Sequence, residues 1–124
     1  VLTIHQEDTP EGYTVCRPVG ELDAFTVSQF RQALAEMASS KRLIIDMSGV
    51  PFVDSAGLGA LIGGIRRARE LGGDVAVACD RPALVRLLRT TGFDRIVTVA
   101  ETVTEAIASL DTPADDQEGD AAGS

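Results

Sequence analysis

Apolar residues recur along this chain at two spacings, and each predicts its own kind of element. Val27, Phe30, Leu34 and Met37 fall three, four and three positions apart, the stripe of an amphipathic helix from Ala24 to about Ala38 that Asp23 can cap. Leu58, Leu61, Ile62, Ile65 and Ala68 repeat the pattern in a second helix, which starts near Ser55 and closes at Gly72-Gly73. Period two governs Tyr13 to Gly20, where Tyr13, Val15, Arg17 and Val19 alternate with Thr14, Cys16 and Pro18. Pro18 has no N–H for a ladder, so it belongs near the end of that strand or facing away from a partner. Short apolar runs predict four more strands at residues 1–6, 42–46, 74–79 and 95–99. Asp80 as a cap and Pro82 in the first turn open a third helix through Leu84, Leu87 and Leu88 that stops at Gly92. Thr102-Val103-Thr104-Glu105 has the form of a capping box for a last helix reaching about Leu110.

The element order ββαβαβαβα describes an α/β chain, a hairpin followed by three crossover units. Right-handed crossovers that keep adding strands on the same side place their helices on one sheet face. If the strands lie side by side in chain order, the second and fourth are about 9.6 Å apart, too far for a Cys16–Cys79 disulfide.

Length and composition narrow the classes. A chain of 124 residues makes one domain that needs no disulfide or metal support. The net charge of −8 is uneven: Asp111, Asp115, Asp116, Glu118 and Asp120 close the chain with no balancing base. Residues 111–124 are expected to be an acidic, disordered tail, and the body to be only mildly acidic. With 4% aromatic residues and no Trp, nothing favours a nucleic-acid surface. No apolar run approaches the ~18 residues of a membrane span, and Val1-Leu2-Thr3-Ile4 lacks the basic flank of a signal peptide, so a cytoplasmic protein is expected. Cys16 and Cys79 both fall in apolar strand runs, as small buried thiols do.

The candidate chemistry converges on Val53-Asp54-Ser55-Ala56-Gly57-Leu58-Gly59, where a strand and a Pro51-bearing loop hand over to the second helix. Ser55 falls in the first helical turn, where backbone N–H groups lack partners and a phosphate is welcome. A nucleophile elbow is disfavoured because Val53 stands where G-x-S-x-G needs glycine, and the one histidine, His5, lies in the first strand; a hydrolase would have to cleave an ester at a Ser55-dependent rate. Asp46 ends a central strand but lacks the acidic cluster and lysine of a phosphoaccepting Mg²⁺ site, and Lys41 is the one lysine. One His and two separated Cys supply no metal-ligand spacing, and the glycines do not end in a P-loop Gly-Lys-Ser/Thr. Ser55 then remains either a phosphate acceptor or, with Asp54, a helix cap. Gly57 and Gly59 cost a helix about 1 kcal/mol each relative to Ala, which suggests close approach by another group. Leu58 between them is core or an interface anchor.

Gly20-Glu21-Leu22-Asp23, Leu43-Ile44-Ile45-Asp46, the Asp54-Ser55-Ala56-Gly57-Leu58-Gly59 element and Thr91-Gly92-Phe93 together resemble the STAS-domain anti-sigma factor antagonists of bacteria. The resemblance covers residues 1–110. It implies a mixed sheet of four to five strands with about four helices packed mainly on one face. It also implies a regulator, not an enzyme and without a cofactor, that binds an anti-sigma factor with a serine kinase fold when unphosphorylated and so releases a sigma factor. The kinase would phosphorylate Ser55, ending the complex, and a PP2C-type phosphatase would restore it. On that reading Glu21, Asp23, Asp54, Ser55, Ala56, Gly57, Leu58 and Arg81 form the partner-binding surface. Asp23 is explained equally as a helix cap and Arg81 as a solvated loop residue, while Ala56 stands where a second serine is common. The alternative is a STAS scaffold or ligand-sensing module in a stress or transport complex, with Ser55 only a cap.

Overall fold

A computed structural model describes residues 1–111, and the tail expected beyond them lies outside the described residues. Five strands form one sheet in the order β1-β2-β3-β4-β5: β1 (Thr3–Asp8), β2 (Thr14–Val19), β3 (Arg42–Asp46), β4 (Asp74–Ala78) and β5 (Thr98–Ala100). The β1–β2 hairpin is antiparallel and every later pair is parallel, so spatial order follows chain order. Helices α1 (Val27–Met37), α2 (Ser55–Glu70) and α3 (Pro82–Thr90) are the crossovers, and α4 (Val103–Asp111) follows the last strand.

Alternation along the strands divides the core. Cys16, Leu43, Ile45, Val75 and Val77 face α1, α2 and α3, whose Phe30, Leu34, Leu61, Ile65 and Leu88 are fully buried with them. Tyr13, Val15, Ile44, Ala76 and Ala78 face the other way, where α4 seats Ala106 on them. Three helices thus share one face and the fourth covers the opposite one. The handedness rule applies only to crossovers, and α4 is not a crossover. All four residues of the Val27, Phe30, Leu34, Met37 stripe are buried.

Pro18 sits opposite Ile4 of β1, while the pairing of β2 with β3 stops at Cys16. The residue that cannot donate therefore falls beyond the last parallel pair. Cys16 and Cys79 are both buried free thiols on different sides of β3, and burial pushes the Cys16 thiol up to about 11.

Several boundaries differ from the sequence reading. The stretch expected as strand 95–99 begins as a 3-10 turn, Phe93–Arg95, that buries Phe93 and Val97, and β5 starts only at Thr98. Asp80 does not cap α3. Arg81 holds the N-cap position without a side-chain bond, and Pro82 opens the helix. In the capping box Thr102 accepts from the Glu105 N–H at 3.1 Å, but the Glu105 carboxylate reaches the Glu101 N–H at 3.3 Å, one residue early. Asp111, expected in the tail, ends α4, where its carboxylate accepts from the Tyr13 hydroxyl at 2.5 Å and lies 3.7 Å from Arg42.

Candidate functional site

The site is built where the loop before α1 meets the loop before α2. Leu22 forms an isolated parallel bridge with Val53, its N–H donating to the Phe52 carbonyl at 3.2 Å and its carbonyl accepting from the Asp54 N–H at 3.4 Å. Residues 20–23 and 52–54, some thirty positions apart in the chain, are thereby laid side by side. Gly57 makes that contact possible. A Cβ there would stand 2.8 Å from the Leu22 carbonyl oxygen and 2.9 Å from Leu22 Cγ. The close approach expected at the glycines is therefore met at Gly57 by the chain itself. Gly57 is buried, so it shapes the surface from beneath. At Gly59 a Cβ would meet nothing within 4 Å.

Asp54 is the N-cap of α2. With φ −90° and ψ −174° it is extended, and its side-chain oxygen accepts from the Gly57 N–H at 2.9 Å, satisfying one of the orphan donors of the first turn. Capping therefore falls to Asp54 and not to Ser55. Ser55 is the first helical residue and is exposed, and among the described residues its hydroxyl makes no hydrogen bond.

Asp23 does not cap α1 directly, contrary to the expectation. Its carboxylate accepts from the N–H groups of Phe25 at 2.9 Å and Thr26 at 3.2 Å, closing a turn, and α1 begins three residues later than expected with Thr26 at its N-cap. The Thr26 hydroxyl donates to the Glu21 carbonyl at 2.9 Å, so Glu21, itself exposed, is held in the same turn. Ala56 and Leu58 are half-buried and pack against the core, which makes Leu58 mainly a core residue with one exposed edge.

Arg81 is exposed but positioned, its guanidinium donating to the Ser48 carbonyl at 3.3 Å and so tying the loop after β4 to the loop after β3. Beside it an apolar cleft of about 210 Å³ is lined by Pro51, Phe52, Val53, Leu84 and Leu87. Sequence reasoning passed over two aromatics here: Phe25 is 93% exposed at the tip of the Asp23 turn, and Phe52 is 56% exposed in the loop before Ser55. Both stand outside the helical stripes, and an aromatic that no periodicity assigns to the core was the available signal.

Asp46 plays no part at the surface. Burial pushes its carboxyl up, but hydrogen bonds from Arg17 Nε at 2.9 Å and from the Ser48 hydroxyl and N–H outweigh that and hold it below its ordinary range. His5, opposite Arg17 on β1, is separated by β2 from the strand whose loop carries Ser55. Neither Asp46 nor His5 is therefore placed as a general base for the serine. Among the described residues no three His, Cys, Asp or Glu side chains are grouped to hold a metal, and no helix is long and apolar enough to cross a membrane.

The family model of the STAS domain matches residues 5–106. The chain is 27% identical over 103 residues to the anti-sigma F factor antagonist of Paenibacillus polymyxa, covering 81% of this chain and 88% of that protein. The crystal structure of an anti-sigma factor antagonist from Mycobacterium paratuberculosis superposes with a TM-score of 0.80 at 27% identity, covering 90% of this chain and 96% of the other. The phosphorylated form of the Bacillus cell fate determinant SpoIIAA shares the fold, with a TM-score of 0.68 at 23% identity over 87% of this chain and 99% of that one.

Proposed function

Because the chain belongs to the STAS domain family, and its relatives are named anti-sigma factor antagonists, we propose that it is itself an anti-sigma factor antagonist switched by phosphorylation of Ser55. Unphosphorylated, it binds an anti-sigma factor with a serine kinase fold through Glu21, Asp23, Asp54, Ser55, Leu58 and Arg81, and the sigma factor is freed. The kinase then uses ATP to transfer a phosphoryl group to the Ser55 hydroxyl, which ends the complex, and a PP2C-type phosphatase reverses the step. The cycle runs in the cytoplasm.

One observation carries this reading. Ser55 presents an exposed, unbonded hydroxyl at a helix N-terminus whose capping is already done by Asp54. The serine is thus surplus to the fold and open to a partner's active site. Exposed Phe52, in the loop before it, and Phe25, at the tip of the Asp23 turn, supply apolar anchors of the kind interfaces use. Phosphorylation adds about −1.5 to −2 charges next to Asp54, and a loss of only ~1.4 kcal/mol at the interface weakens binding tenfold. The likeness to a protein solved in a phosphorylated form supports the same switch.

Incubating the chain with its cognate kinase and ATP tests it. The expected result is phosphate incorporation that vanishes in Ser55→Ala, with at least tenfold weaker kinase binding by Ser55→Asp. Equal incorporation in Ser55→Ala refutes the site, and unchanged affinity of Ser55→Asp refutes the switch.

A further inference from the structure

The loop after β3, which leads to Ser55, lies between the loop after β2, which holds the Asp23 turn, and the loop after β4, which opens α3. On its α3 side is the apolar cleft of about 210 Å³, with Pro51, Phe52 and Val53 contributed by the loop and Leu84 and Leu87 by the helix. Leu84 and Leu88 seat α3 on the core, whereas Leu87 carries the apolar stripe past it and stays 37% exposed. Phe52 is 56% exposed. Two large apolar side chains therefore line one cleft without being buried in the core. Arg81 is the one charged group in the lining. Its guanidinium is held by the Ser48 carbonyl, a neutral acceptor, and among the described residues no carboxylate pairs with it, that of adjoining Asp80 included. A positioned positive charge is thus left without a counter-charge beside an apolar slot.

Size and position select the occupant. Pockets that enclose cofactors and drug-sized molecules run to about 300–1,000 Å³. This cleft is smaller and suits one large side chain. Phe52 precedes Ser55 by three residues, so a partner whose active site receives the serine hydroxyl covers the edge of the cleft as well. We propose that the anti-sigma factor kinase inserts one large apolar side chain into this cleft, beside a carboxylate that pairs with Arg81. An apolar anchor in a pocket with a charge-assisted bond at its rim is the arrangement that concentrates binding energy in interfaces. The proposal rests on the reading of the chain as an anti-sigma factor antagonist and names where its partner grips it. The grip lies on the flank away from the Asp23 turn and makes no use of the Ser55 hydroxyl.

Calorimetric titration of the whole chain with its cognate kinase tests it, with ADP in place of ATP so that no phosphoryl transfer intervenes. Leu87→Asp should weaken binding about tenfold or more by setting a carboxylate in the cleft. Arg81→Gln should weaken it about two- to fivefold, and Arg81→Lys, which keeps the charge, by less. Leu71→Asp should bind like the parent, since Leu71 is 52% exposed but lies at the end of α2 away from Ser55. Raising the salt to about 0.5 M should weaken the parent more than Arg81→Gln. Kinase affinity unmoved by Leu87→Asp and by Arg81→Gln overturns the anchor and leaves the antagonist reading standing. A kinase that does not bind the unphosphorylated parent overturns both. If Leu87→Asp instead alters the sedimentation of the chain alone, the occupant is a second copy and the proposal falls. It falls too if octanoate shifts the Leu87 methyl resonances while kinase affinity ignores the cleft variants, since the site is then one for a small amphiphilic anion.

Discussion

Replacing Gly57 and Gly59 by alanine, one at a time, separates what the helix requires from what the site requires. By helix propensity alone both changes stabilise α2, by up to about 1 kcal/mol each. The surroundings differ. At Gly57 the new methyl would lie 2.8 Å from the Leu22 carbonyl oxygen, 2.9 Å from Leu22 Cγ and 3.1 Å from Val53 Cγ1. None of these is the free end of a flexible chain. Leu22 is fully buried, its N–H is bonded to Phe52 and its carbonyl to Asp54. Overpacking of this kind costs about 1–3 kcal/mol, so Gly57→Ala should be destabilising by a net ~1–2 kcal/mol. Gly59→Ala meets no neighbour and should gain ~0.5–1 kcal/mol. At roughly 4 °C per kcal/mol for a domain of this size, the two variants should melt on opposite sides of the parent, a few degrees to either side. Urea titrations followed by circular dichroism give the same comparison free of heat-induced aggregation. If Gly57→Ala is as stable as Gly59→Ala, the loop of residues 20–23 is not seated on α2 as described.

Asp54→Ala should cost about 1 kcal/mol in the same titration through loss of the bond to the Gly57 N–H, and Asp54→Ser should recover most of it. Ser55→Asp should stay within about 0.5 kcal/mol of the parent or gain slightly, because an acid in the first turn faces the positive end of the helix. Asp46 is held below its ordinary value of 3.8, so the stability it contributes is present above that value and lost as pH falls through the lowered one. Arg17→Gln should accordingly destabilise by about 1–3 kcal/mol near neutrality, and the gap to the parent should close in acid. Tyr13 is pushed up to about 12, first by burial and then by its bond to Asp111, so its contribution is whole below 10 and lost as pH climbs from 10 through 12. The urea midpoint should fall over that interval, and Tyr13→Phe should flatten the slope.

The legible elements were those whose signal is local. The Val27, Phe30, Leu34, Met37 stripe, β3 at Arg42–Asp46 and the α2 start at Ser55 each follow from spacing and a cap within a few residues. Where two local solutions compete, the boundary moved. Asp23 has its own turn to close before α1 can begin, and Phe93 and Val97 are buried by a 3-10 turn as readily as by a strand. The place of α4 could not be read from handedness, because among the described residues no strand follows it. It is marked instead by the small residues Ala76, Ala78 and Ala106, which let the helix settle on that face. Asp54 and Ser55 were visible as a helix start, but the reason for Gly57 was not, since its neighbour Leu22 is distant in sequence and leaves no periodic trace.

That non-local contact bears on how a switch at Ser55 would act. Leu22 seats the Asp23 turn on the first turn of α2, and Asp54 caps the helix from the same loop, so both acids are held by bonds in which the Ser55 hydroxyl takes no part. A phosphoryl group on that hydroxyl leaves those bonds intact and meets unpaired N–H groups of the helix start, an environment that offsets part of its charge. The fold then has no means of amplifying the modification into a rearrangement, since nothing in the turn depends on the serine side chain. On the proposed function the whole effect must arise in the complex, where the added bulk and charge sit beside the fixed Asp54 carboxylate and have to be desolvated against the partner. The small stability change expected for Ser55→Asp and its large effect on kinase binding are therefore one claim. A Ser55→Asp variant that unfolded more easily by over about 1 kcal/mol would place the switch inside the domain and not at its surface.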